Sequence, residues 1–144
     1  MLSLEPPRGG RRRTGLPALI RGLSARGAVQ LQWHKCAGAE WCLLGQVDPP
    51  PLGDVGVFVV WREGDGYRAP AVLFVGSGDL RQQVSACRRD PVLTGAASLR
   101  ITWAKVDPRD VAGVAAYLYQ QLRPLWGEVP QPVPSRPVNL PLQA

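Results

Sequence analysis

Lysine is almost missing from this chain: of 17 basic residues among 144, only Lys35 and Lys105 are lysines and the others are arginines. There is also a single histidine, His34, and there are two phenylalanines. No apolar run approaches the ~20 residues that a membrane-spanning helix needs. The first residues form no apolar segment of the kind found in a secretory signal, so none is read. The three cysteines, Cys36, Cys42 and Cys87, cannot all pair within one chain. Without a signal segment they are expected as reduced thiols in a cytoplasmic protein.

The hydrophobic fraction of 45% and the length suit one domain with a modest core. Net charge is +6 and the isoelectric point about 9.9. Arginine presents a planar fork that matches phosphate, although a GC-rich coding sequence gives the same bias with no phosphate to bind. DNA or RNA is thus a partner that the charge permits.

Residues 1–13 hold Arg8, Arg11, Arg12 and Arg13 with Pro, Gly and almost no apolar content, and are expected to be a disordered basic arm. Residues 14–52 read as a helix and strand extension. Leu16, Leu19, Ile20 and Leu23 recur at helical spacing, and Val29, Leu31 and Trp33 alternate with polar residues as in a half-buried strand. Pro49-Pro50-Pro51 is a stiff connector to a third unit, 53–144.

In that unit Gly56–Trp61 and Ala71–Gly76 are β-branched and aromatic, which predicts two buried strands joined as a hairpin. Asp79 is a plausible N-cap for a helix with an inner stripe of Leu80, Val84 and Cys87, ended by Asp90-Pro91. Leu99, Ile101 and Trp103 mark a third strand. Asp107-Pro108 predicts the start of a second helix, with Val111, Val114, Ala115, Leu118 and Leu122 inward and Pro124 as the stop. A proline-rich tail follows. The fold class is α+β: a small, mainly antiparallel sheet with a hairpin, flanked by helices.

From Gly53 to Leu140 these residues resemble the GIY-YIG nuclease superfamily. Gly56-Val57-Phe58 and Phe74-Val75-Gly76 stand where its two hairpin motifs stand, Gly76–Leu80 resembles the turn into its first helix, and Asn139 resembles its late asparagine. The resemblance implies a site in which two tyrosines, an arginine, often a histidine, and a metal-binding glutamate cleave a phosphodiester. At the matching positions this chain has Phe58, Phe74, Gln83, Cys87 and Ala115. Two phenyl rings, an amide, a thiol and a methyl group cannot replace those groups, and a hard cation needs oxygen ligands. The resemblance therefore implies the nuclease frame without catalysis and with no cofactor. Mg²⁺ or Mn²⁺ would enter only in a divergent nuclease whose acids come from Asp79, Asp110 or Glu128.

Without catalysis, the expected role is a nucleic-acid-binding or accessory module that uses Arg81, Arg88, Arg89 and the arm residues Arg11, Arg12 and Arg13. A solvated helix face is the plainer reading of the first three. A protein-interaction domain that holds a partner with its sheet and tail is the further alternative. His34, Cys36 and Cys42 fall short of the four ligands of a structural zinc site, and Cys87 belongs to another element, so no metal is expected. Pro134-Ser135-Arg136-Pro137 fits a polyproline ligand pattern, but packing of the tail on its own domain is favoured.

Overall fold

A computed structural model describes residues 29–64, 66–94, 99–127 and 129–142. The arm with Arg11, Arg12 and Arg13, the helix expected over Leu16–Leu23, and Glu128 lie outside the described residues. The fold is α+β, with one four-stranded antiparallel sheet. In chain order the elements are β1 (Cys42–Leu43), β2 (Val55–Arg62), β3 (Ala71–Asp79), α1 (Leu80–Arg89), α2 (Pro91–Thr94), β4 (Leu99–Lys105) and α3 (Val111–Leu122). The strands lie side by side as β1-β4-β2-β3. Among the described residues, no helix is long and apolar enough to cross a membrane.

The predicted hairpin is β2–β3, with Phe58 opposite Gly76 and Val60 opposite Phe74. The register shifts after Val60, so that Trp61 faces Val72. Such a bulge places one extra residue on β3, and Leu73 and Phe74 both contribute to the core on the α1 side. Because β2 is central, its side chains fill two cores in alternation. Phe58 and Val60 meet Leu80, Val84 and Cys87 of α1 and Leu93 of α2. On the opposite face, Val57, Val59 and Trp61 meet Val114, Ala115 and Leu118 of α3, with Leu31 and Val138. β4 is buried on both faces as well, so Thr102 and Ala104, the alternate residues of that strand, are core too. The Thr102 hydroxyl donates to the His34 carbonyl at 2.7 Å, which removes the cost of burying it.

Residues 29–52 are not a separate extension. β1 pairs with β4, and Cys42, Leu44 and Val47 sit in the α1-side core. The alternation of Val29, Leu31 and Trp33 is real in burial, yet only Val29 forms a bridge, a parallel one to Val138. The boundary expected near residue 53 therefore divides one packed body, because the sheet needs β1 to complete the β4 edge.

Asp79 caps α1 as expected, accepting from the Gln82 amide at 3.0 Å. α1 ends at Asp90-Pro91 as expected, and α2 begins at once, with the Asp90 carboxylate accepting from the Val92 amide at 2.8 Å. The second long helix starts at Val111, not at Asp107-Pro108. Asp107 accepts from the backbone and guanidinium of Arg109, which closes a turn of its own. The tail packs where favoured: the Arg136 amide donates to the Gly113 carbonyl at 2.8 Å.

Gly56 shows how tightly the two central strands approach. A Cβ there would lie 2.0 Å from the Ala104 carbonyl oxygen and within 3.0 Å of the Ala104 carbonyl carbon and Lys105 Cα, all backbone of β4 with nothing flexible to yield. Gly56→Ala is expected to cost about 3 kcal/mol or more of stability, the upper range for overpacking, read as a lowered urea midpoint.

Candidate functional site

The family positions fall into two groups on opposite faces of the sheet. Phe58 and Phe74 lie in ring contact, with centroids 5.6 Å apart and planes tilted by 45°. Phe58 is fully buried because its ring covers Gly76: a Cβ on Gly76 would come within 2.4 Å of that ring. Gln83 and Cys87, one turn apart on α1, join Phe74 at a cleft of about 530 Å³. Ala86, Asp90, Val92, Leu93, Trp126 and Gly127 complete its walls. Four of the six positions therefore converge.

The other two do not join them. Ala115 is in the core beneath α3. Asn139 works as a clasp between chain segments: its side-chain oxygen accepts from the Leu31 amide at 2.6 Å, and its side-chain nitrogen donates to the Leu31 carbonyl at 3.0 Å. It thereby acts as one more strand residue toward the N-terminal segment. The Asn139 carbonyl also accepts from the Trp33 indole at 2.9 Å.

The buried Cys87 and Leu93 lie at the bottom of the cleft, and Val92 and Trp126 stand exposed at its rim. Burial, then the charge of Asp90, push the Cys87 thiol up to about 11. It is thus a neutral core group, not a nucleophile. Asp79 and Asp90 each receive a backbone amide as helix caps, and Asp110 lies 3.9 Å from Arg136 at the head of α3. Among the described residues no cluster of three carboxylates or imidazoles forms here. The contributions of α2 and of Trp126-Gly127 were invisible to helix and strand periodicity. The available signal was Gly127, which takes a positive φ of 104° and presses its backbone on Phe74.

The three arginines of α1 part company. Arg88 donates to the Val47 carbonyl at 2.9 Å and to the Gly45 carbonyl at 3.5 Å, pinning the loop after β1. It serves as a strut between α1 and that loop, although the residue remains exposed. Arg81 and Arg89 are exposed and have no ion-pair partner among the described residues. They flank a shallow depression with Leu52, Gln82, Gln83, Ser85 and Ala86.

A second constellation sits at the far edge of the sheet. Cys36 and Cys42 form a disulfide with Cα atoms 5.2 Å apart, so the expectation of three free thiols holds for Cys87 alone. The cause is a tight turn, Ala37–Ala39, with Gly38 at φ 72° and the Cys36 amide donating to the Glu40 carbonyl at 2.8 Å. His34 stacks on Trp103 at 4.4 Å, with planes only 9° apart. That cover on one face of the ring desolvates it and lowers its pKa. Lys35 lies over the Trp41 ring at 4.4 Å. Trp41 in turn meets the edge of Trp61. Beside His34 and Cys36 opens a cleft of about 610 Å³, which Asp48, Asp54 and Lys105 also line.

Cys87 gives a sharp pH expectation. The unfolded thiol ionises near 9.0 and the folded one near 11, so its contribution to stability is complete below pH 9 and declines as pH rises toward 11. Urea midpoints of the wild type should fall across that window more than those of Cys87→Ala. Comparison with protein-family models, with curated proteins and with solved structures finds no match, so the GIY-YIG resemblance rests on the motif residues alone.

Proposed function

We propose that this chain is a GIY-YIG-like module without catalysis that binds nucleic acid along the exposed side of α1. The observation that supports it most is the division of labour on that helix. Its inner stripe and the hairpin phenylalanines put apolar groups at the positions where the family holds its reactive ones. Its outer face leaves Arg81 and Arg89 open beside a polar depression. Two guanidinium groups with no ion-pair partner among the described residues, one at each end of a ten-residue helix, suit phosphate oxygens of a backbone. Gln82, Gln83 and Ser85 add neutral donors beside them. The arm residues Arg11, Arg12 and Arg13 extend the same chemistry. Hydrolysis is not proposed: Asp90 is the one carboxylate among the residues that line the cleft, and it accepts from the Val92 amide, whereas a hard cation and a general base together need more oxygen donors than that.

A protein partner is the second reading. It is favoured by Val92 and Trp126, 60% and 42% exposed, at the rim of the apolar cleft.

Binding of labelled single- and double-stranded DNA and RNA to the full chain, followed by fluorescence anisotropy from about 50 to about 200 mM salt, separates the readings. Affinity should fall steeply with salt. Replacing Arg81 and Arg89 together by alanine should lower the slope of log K on log salt by about two. Arg88→Ala should leave the slope alone and reduce stability. Absence of binding at the lowest salt would sink the nucleic-acid reading, and cleavage abolished by EDTA would restore the enzyme. With no nucleic-acid binding, loss of a co-purifying protein on Val92→Ser would favour the second reading.

A further inference from the structure

The geometry points to a redox-gated metal site at the edge of the sheet: when the Cys36–Cys42 disulfide is reduced, the two thiolates and the His34 imidazole bind a thiophilic cation, zinc(II) or copper(I).

Three ligand-type atoms, one from each residue, lie within 4.8 Å of one another, the one such group of three among the described residues. Zinc bonds to sulfur at about 2.3 Å and to imidazole nitrogen at about 2.0–2.1 Å, which in a tetrahedron sets ligand atoms nearly 4 Å apart. The imidazole therefore stands within reach of both sulfurs, which are bonded to each other in the disulfide and part to roughly 4 Å when reduction frees them to share an ion. Thiolate and imidazole together select zinc or copper(I) over magnesium or calcium, which take oxygen donors.

The residues are held there by the fold. The His34 amide donates to the Trp103 carbonyl at 2.9 Å, its carbonyl accepts from Thr102, and its ring lies flat on Trp103. Cys42 is buried in β1 and registered against Ile101. Cys36 is tied through its amide to Glu40. Opening the disulfide thus leaves three donors fixed by β4 and by one turn. A fourth position is not filled by a described cysteine or histidine. It faces the cleft lined by His34 and Cys36, where water or a small ligand has access.

The steps balance simply. A dithiol reductant gives two electrons and two protons to the disulfide, leaves as its own disulfide, and yields two thiols. Metal binding then displaces the two thiol protons. A low-molecular-weight disulfide takes two electrons from the thiolates and leaves as two thiols, which re-forms the Cys36–Cys42 bond and releases the ion, so the disulfide and the metal exclude each other. This site is separate from the nucleic-acid face of α1, and its test does not depend on that reading.

The experiment uses the full chain, oxidised and phosphine-reduced, titrated with Co²⁺ as a spectroscopic stand-in for zinc. The reduced protein should develop thiolate-to-cobalt charge-transfer bands at one ion per chain, and Zn²⁺ should bleach them. The oxidised protein should develop none. Cys36→Ser and Cys42→Ser should each weaken the bands strongly. His34→Ala should lower affinity by about 10-fold or more, since even partners beyond the ligands act on that scale. Cys87→Ser should change nothing. Should the serine variants fail to fold, the oxidised-against-reduced contrast in the wild type and the exposed His34 still decide. Equal bands in both redox states, no bands after reduction, or bands that survive in a folded Cys42→Ser protein would each overturn the proposal.

Discussion

Six consecutive residues of β2, Gly56 to Trp61, are buried, so the strand is covered on both faces. Their backbone amides and carbonyls can be satisfied only by neighbours on both edges, since an unpaired buried peptide group costs as much as a lost hydrogen bond. β3 meets that need on one side and β4 on the other. The same requirement passes outward to β4, which is itself buried and needs β1 and the His34 segment along its far edge. Two apolar faces then demand two covers, α1 with α2 above and α3 with the tail below. The architecture is the consequence of burying one strand completely.

That strand is also why much of the fold was legible in the sequence. A run such as Gly56-Val57-Phe58-Val59-Val60-Trp61 reads as a strand with both faces covered, and the similar run at Ala71–Gly76 supplies its hairpin partner. The inner stripes of α1 and α3 followed from spacing alone. What escaped depends on contacts distant in sequence. β1 is two residues long and owes its existence to β4, and no local propensity announces so short a strand. The displaced start of α3 reflects Asp107, whose side chain found Arg109 instead of the first helical turn. The disulfide required Gly38 to reverse the chain between two cysteines that counting alone left unpaired.

The candidate site was legible in part, for the same reason. Phe58, Phe74, Gln83 and Cys87 converge because the hairpin and the first helix are local structures whose register the sequence sets. Ala115 and Asn139 depend on how α3 and the tail fold back, and they serve the other face. Arg88 shows the limit of reading charge by residue type. A guanidinium on an exposed helical face is bound to two carbonyls that lie more than forty residues earlier in the chain. Electrostatics at the cleft follow burial: the Cys87 thiol is kept neutral, and the Asp90 carboxylate accepts from the Val92 amide.

The bulge after Val60 has a wider consequence. β3 is the outer strand on its side, and an outer strand offers bare carbonyls to any passing chain. Where the extra residue turns β3, the Val72 and Leu73 carbonyls accept from the amides of Leu125 and Trp126 at 3.1 and 2.9 Å. The chain leaving α3 thus occupies those acceptors itself. On the opposite margin β1 is too short to template a further strand. Growth of the sheet from one molecule into the next is hindered at both margins, so copies of this chain can crowd together without their β-strands zipping into one sheet.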